Sequence, residues 1–183
     1  MTDLVIDRPG SPLDSEVLDL ASRIFDMARS GDSATLAAYL DAGAPVNLTN
    51  TNGDTLVMLA AYYGHESTVA ALIERGADVN RHNNRGQTPL AGAVFKNETT
   101  IIELLLSADA DPLAGSPSAL ETARFFSKEQ LTRQLLQHIR WRRSVNVWPH
   151  ASPLTGHRAQ KYRYAASRDR RLPLAGGTDG YQR

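Results

Sequence analysis

Five histidines and no cysteine set the limits on the chemistry open to this 183-residue chain. Without a thiol there is no thiolate nucleophile, no disulfide and no thiolate-ligated metal. Imidazole is the acid–base group that titrates nearest neutrality. His65 and His82, which fall in the most regular part of the sequence, are therefore the two side chains to weigh first. His82 has no carboxylate or second histidine at ligand spacing. Neither histidine belongs to a His-Glu-x-x-His pair, and the chain has no phosphate loop and no nucleophile elbow. The expectation is a protein with no catalytic residues, no metal and no cofactor, and so not an enzyme. Asn47-Leu-Thr49 and Asn97-Glu-Thr99 match the glycosylation sequon. With neither a basic start nor an apolar core near Met1 to suggest export, they read as chance matches.

Charge is distributed unevenly. The net charge is zero, yet residues 1–136 hold 10 Lys and Arg against 18 Asp and Glu, whereas residues 137–183 hold 10 against 2. The basic segment carries Arg140, Arg142, Arg143, Arg158, Lys161, Arg163, Arg168, Arg170 and Arg171, interleaved with Trp141, Trp148, Tyr162 and Tyr164. Phosphate neutralisation with base stacking would let such a segment bind nucleic acid. It could equally fold back on its own acidic body, or have no selected role, and the sequence leaves the three open. No run approaches 18 apolar residues, so no transmembrane helix is expected. A cytoplasmic monomer is the expected form.

The elements that must position any site come from a repeat. Shifting the sequence by 33 residues brings Gly53 onto Gly86, Thr55 onto Thr88, Ala60 onto Ala93, Ala77 onto Ala110 and Asp78 onto Asp111. Shifting the other way brings Gly64 onto Gly31, and Gly76-Ala77 with Val79-Asn80 onto Gly43-Ala44 with Val46-Asn47. A fixed period of this length marks a stacked repeat in which each unit is one supersecondary element. Between the glycines lie short runs with apolar residues at helical spacing: Val17, Leu18, Ala21, Ile24, Phe25 and Ala28 in one, and Leu36, Ala37, Tyr39 and Leu40 in the next. Asp14 or Ser15, Asp32 or Ser33 and Ser127 are the expected helix caps, and Thr55 is expected to begin the first helix of its repeat. Asn97 and Asp109 replace glycine at two helix stops. Both residue types tolerate positive φ better than most, so both are expected in the left-handed region.

Gly86-Gln-Thr88-Pro89-Leu90, Ala60-Ala-Tyr-Tyr-Gly-His65 and Gly76-Ala-Asp-Val-Asn80, at these spacings, closely resemble the ankyrin repeat. The resemblance covers residues 15–136, about two thirds of the chain. It implies an all-α fold, an ankyrin-repeat solenoid of stacked helix–turn–helix units joined by short hairpin-like turns. The expected repeats are 15–47, 48–80, 81–112 and 113–141, the fourth starting three residues early. Residues 1–14 are expected to be a disordered leader and 142–183 a basic disordered tail. In this family the Gly-His step is structural, which assigns His65 to backbone bonding. The asparagine matching Asn47 and Asn80 bonds the turn backbone.

The resemblance also implies where a partner would sit. Turn tips and the exposed ends of the first helices line a concave surface that binds proteins. Carried over by position, that surface comprises Thr51, Asn52, Asp54, Tyr62 and Tyr63 from the second repeat. Asn84, Arg85, Gln87, Phe95 and Lys96 follow from the third, and Phe125 and Phe126 from the fourth. Two adjacent helical slots thus hold Tyr-Tyr, Phe-Lys and Phe-Phe in successive repeats. A helix buries one stripe, so adjacent residues seldom both face its core. At least one of each pair is expected at the surface, and exposed aromatics beside Arg and Lys have the composition of a binding hot spot. The expected activity is non-catalytic protein binding through this groove. Nucleic-acid binding through the basic tail, with the repeats as scaffold, is the alternative.

Overall fold

Eight helices follow one another in the computed structural model, which describes residues 12–145. They are α1 (Pro12–Ser30), α2 (Ser33–Asp41), α3 (Leu56–Tyr62), α4 (Glu66–Glu74), α5 (Pro89–Lys96), α6 (Thr99–Ser107), α7 (Ala119–Phe125) and α8 (Glu129–Val145). Of the expected leader 1–14 and tail 142–183, residues 1–11 and 146–183 lie outside the described residues, whereas residues 12–14 belong to α1 and residues 142–145 to α8. The packing described below lies within residues 12–142.

Helices α1, α3, α5 and α7 form an inner row in which each packs on the next, while α2, α4 and α6 stack as an outer row. Close approach in the inner row depends on small side chains. Ala60, Ala93 and Ala123, one per repeat at the same register position, are fully buried. The larger core residues, Leu36, Leu56, Leu72, Leu90, Ile101, Ile102, Leu105 and Leu135, are also fully buried. Each contributes about 1.5–3 kcal/mol by leaving water. The fold is therefore the all-α ankyrin solenoid that the repeat implies.

Local chemistry sets the helix ends. Thr55, Thr88 and Ser118 precede α3, α5 and α7 in extended conformation, and each side-chain oxygen accepts from the backbone N–H three residues on, at 3.2 Å. Asp32 does the same for α2. Such caps satisfy a helix-end donor that otherwise has no partner, and are worth about 1 kcal/mol each. Asn97 and Asp109 have φ of 67° and 66°, as expected of residues standing in glycine slots.

Three expectations need correcting. Helix α1 begins at Pro12, so Asp14 and Ser15 lie inside it; proline suits a first turn, where its missing N–H costs nothing. Ser127 does not cap α8. It takes φ +52° in the stop slot after α7, where the earlier repeats place Gly31, Gly64 and Asn97. Val17 and Leu18 are 65% and 67% exposed, because α3 is only seven residues long and covers the C-terminal half of the 19-residue α1 alone.

Neighbouring repeats are locked at three levels. At one edge Asn47 Oδ1 accepts from Asp78 N at 2.8 Å, and Asn80 Oδ1 accepts from Asp111 N at 2.7 Å. At the turn tips Asn84 N donates to Asn52 O at 3.0 Å and Ser116 N to Gly86 O at 2.8 Å. Between the outer-row turns, Arg75 grips Asp41 through two hydrogen bonds of 2.8 and 2.9 Å.

Candidate protein-binding groove

His65 is tied into the stack. Its Nε2–H donates to the Arg29 carbonyl at 2.7 Å, across to the end of α1. The ring occupies the space that a Cβ on Gly31 would need, with ring atoms 2.5–2.9 Å from that position, and Gly31 itself has φ +81°. One register step later the slot holds Glu98, and the next holds Lys128, whose Nζ donates to the Val94 and Phe95 carbonyls at 2.8 and 3.0 Å. A cation suits the negative end of α5. His65 and Lys128 thus fasten their repeats to the end of the preceding inner helix, while the Glu98 side chain lies beside Gly64. His82 is exposed, and no group of three or more His, Asp or Glu among the described residues could hold a metal.

The face at the ends of α3, α5 and α7 is different. Five aromatic rings run across three repeats in unbroken contact. Tyr63 meets Tyr62 edge-on at 5.5 Å, Tyr62 stacks on Phe95 at 6.3 Å with 6° between planes, Phe95 meets Phe126 edge-on at 5.3 Å, and Phe126 meets Phe125 at 5.0 Å. Pairs of this kind are worth about 0.5–1.5 kcal/mol beyond burial. Contact does not hide them: all five are exposed, from 39% for Tyr62 to 82% for Phe125. Lys96 Nζ lies 5.0 Å from the Tyr62 ring centre, within cation–π range.

This row borders a groove of about 810 Å³. Of the residues carried over by position, Asp54, Tyr62, Tyr63, Arg85, Gln87, Phe95, Phe125 and Phe126 line it, while Thr51, Asn52, Asn84 and Lys96 do not. Thr51 and Asn84 are used in the turns, where Asn84 Nδ2 donates to the Thr51 carbonyl at 3.1 Å. Asp54 lines the groove but is only 8% exposed. Its two oxygens accept from Asn83 Nδ2 at 2.7 Å and Asn50 Nδ2 at 3.2 Å, so the carboxylate joins two turns rather than facing a ligand. Gln87 Oε1 likewise accepts from Asn83 at 3.3 Å.

The groove also contains residues that carry-over by position missed: Met58, Leu59, Asn83, Thr88, Ala91, Gly92, Pro117, Glu121 and Thr122. Two had a readable signal. Glu121 completes the Ser118-x-x-Glu121 capping box, with its Oε2 accepting from Ser118 N at 2.8 Å and Ser118 Oγ at 2.9 Å. Those bonds, the backbone one foremost, hold its carboxyl below the usual carboxylate range. Gly92 lies inside α5, where glycine is a poor helix former. A Cβ at Gly92 would meet only Tyr62 Cδ2, at an ordinary 3.8 Å. No close contact or positive φ therefore requires glycine at this position, and it lines the groove.

Stacked helix pairs, capped turns and Gly-x-Thr-Pro-Leu spacing define a repeat module whose family can be stated. A family profile described as ankyrin repeats in three copies matches residues 24–115, half of the chain, and the chain belongs to the ankyrin repeat family. A Pseudomonas aeruginosa protein named as an ankyrin repeat protein is 46% identical over 59 residues. That stretch is 32% of this chain and 34% of the relative, so the match spans about a third of the length of each. Ankyrin repeats are generally protein–protein interaction modules without catalytic activity. No helix among the described residues is long and apolar enough to cross a membrane.

Proposed function

We propose that this protein binds another protein through the concave groove of its repeat stack. One observation carries the reading: a continuous row of five exposed aromatic rings crosses three repeats and borders an open groove. Large apolar side chains left exposed together cost solubility, and such patches mark interaction sites. Other large apolar side chains are exposed too, Val17, Leu18, Leu20, Leu113 and Trp141 among them, but what sets the row apart is that its five exposed rings touch in succession. Phe125 and Tyr63, at the two ends of the row, supply rigid contact area at low entropic cost, while Phe95 and Phe126 link them.

The test uses the full chain as bait beside a variant carrying Phe95→Ala and Phe125→Ala. A protein captured by the first is purified and its affinity for both is measured by calorimetry. Loss of binding in the variant, with unchanged helicity, supports the groove. A partner that binds both equally, and is lost only when residues 146–183 are removed, defeats it.

A further inference from the structure

The first and last repeats carry helices longer than the stack uses. Helix α1 has 19 residues where α3, α5 and α7 have seven or eight. Helix α8 has 17 where α2, α4 and α6 have nine. In α1 every residue from 15 to 20 is exposed, yet the apolar stripe continues through it: Val17, Leu18 and Ala21 stand at helical spacing before the buried Ile24, Phe25 and Ala28. On α8, Trp141 is half exposed beside the exposed Gln137 and Arg140. Terminal repeats keep a stack soluble by presenting polar surface. Here both leave large apolar side chains bare.

The two bare surfaces differ in sign. From residue 12 to 22, α1 holds Asp14, Glu16 and Asp19 and no base, with Arg23 one turn after Asp19. Helix α8 holds Arg133, Arg140, Arg142 and Arg143 against Glu129 alone. Arg142 turns to the preceding repeat, where it donates to the Asp109 carbonyl at 3.3 Å in a turn that also carries Asp111. Arg133 and Arg140 are exposed, and among the described residues neither meets a carboxylate within ion-pair distance; nor do Glu16 and Asp19 meet a cation. Each helix's macrodipole suits acids at its start and bases at its end. That accounts for the signs and leaves the bare apolar side chains without cover.

One copy cannot bring the two surfaces together. Three inner-row steps, each about 8–10 Å between axes, separate α1 from α7, the partner of α8 in the last repeat. A second copy can. Two α1 segments face to face would set acid against acid, and two α8 surfaces arginine against arginine, and like charges in an interface are strongly unfavourable. Pairing α1 with α8 sets apolar on apolar and acid on base.

We infer that the chain associates with a second copy of itself, the bare half of α1 in one copy packing against the Arg140–Trp141 face of α8 in the other. Trp141 covers Val17 and Leu18, and Arg140 faces Glu16 and Asp19. The contact is heterologous, and each copy offers both surfaces. It departs from the monomer expected of the sequence, and it uses none of the groove's aromatic residues.

The test is sedimentation velocity of the full chain at increasing concentration, beside Leu18→Asp and Trp141→Asp, both at exposed positions and both checked for unchanged helicity. The unaltered chain is expected to gain mass with concentration, more so at low salt, and each variant alone to stay monomeric. Mixing the two variants separates the possible pairings. Each keeps the surface that the other has lost, so an equimolar mixture of L18D and W141D should form a complex of two chains and grow no further. An unaltered chain that stays monomeric at every concentration overturns the inference. Association abolished by L18D but untouched by W141D, or a mixture that does not associate, overturns it in favour of α1 meeting α1. Association that survives both substitutions overturns it in favour of another surface, residues 146–183 included.

Discussion

Replacing Gly92 with alanine should make the protein more stable and a weaker binder. Gly92 is the fourth residue of α5, well inside the helix, and lacks the positive φ that makes glycine necessary at Gly31 or Gly64. In a helix interior glycine costs about 0.8–1.0 kcal/mol relative to alanine, because the unfolded chain has more freedom to lose. The new methyl group would sit 3.8 Å from Tyr62 Cδ2, which is ordinary contact, so no clash offsets the gain. The expected result is a rise in melting temperature of about 2–5 °C by circular dichroism, with unchanged helical content. Because Gly92 lines the groove, the added methyl group should lower affinity for a groove ligand at the same time. Stability given up at a binding surface is a recurrent trade in proteins. A fall in melting temperature would refute the reasoning, since it would mean that the fold itself needs the glycine.

Three further perturbations separate the stack from its groove. Gly31→Ala should destabilise by about 2–4 kcal/mol in urea titration, since it forces a side chain into the left-handed region against the His65 ring; a neutral effect would show that the ring is free to move. Leu135→Ala, at a fully buried site, should cost about 2–5 kcal/mol, whereas Phe125→Ala should cost about 1 kcal/mol or less because only one ring contact is lost; similar losses in thermal melts would contradict the assignment of core and surface. Asp41 is held below its usual range first by its hydrogen bond from Arg75, and Glu121 by bonds from Ser118. Both carboxyls have lower pKa values folded than unfolded, so their contribution is present above about pH 4 and lost as pH falls through the folded values. Melting temperature should therefore drop on acidification below about pH 4, and less steeply in Asp41→Asn; an unchanged slope would remove the Arg75 pair from the explanation.

The stack was legible because its rules are local and repeated. Thr55, Thr88 and Ser118 stand one residue before an apolar run, and Asn97 and Asp109 occupy glycine slots in register. Ser127 misled because serine is a good cap by type, while its position in the register makes it a stop. Val17 and Leu18 misled for another reason: periodicity identifies a helical stripe but does not reveal the length of the neighbouring helix that must cover it. The aromatic slots of the groove could be read by register, since Tyr62, Phe95 and Phe125 recur in phase. Which polar residues were free could not, because Asp54, Thr51 and Asn84 make bonds to other turns that exist only once the repeats have stacked. Gly92 was legible as a glycine inside a helix, but judging that no close contact requires it there needs the neighbouring repeat's Tyr62.

The most direct test of the groove is photo-crosslinking in the cell. A benzophenone-bearing phenylalanine analogue replaces Phe125, which is 82% exposed, and in a separate variant replaces Glu103 on the outer helix α6, which is also exposed. The account predicts a discrete protein adduct from position 125, lost when Phe95→Ala is added, and none from position 103. Adducts from position 103 alone, or from neither position while the chain still captures its partner, would contradict it.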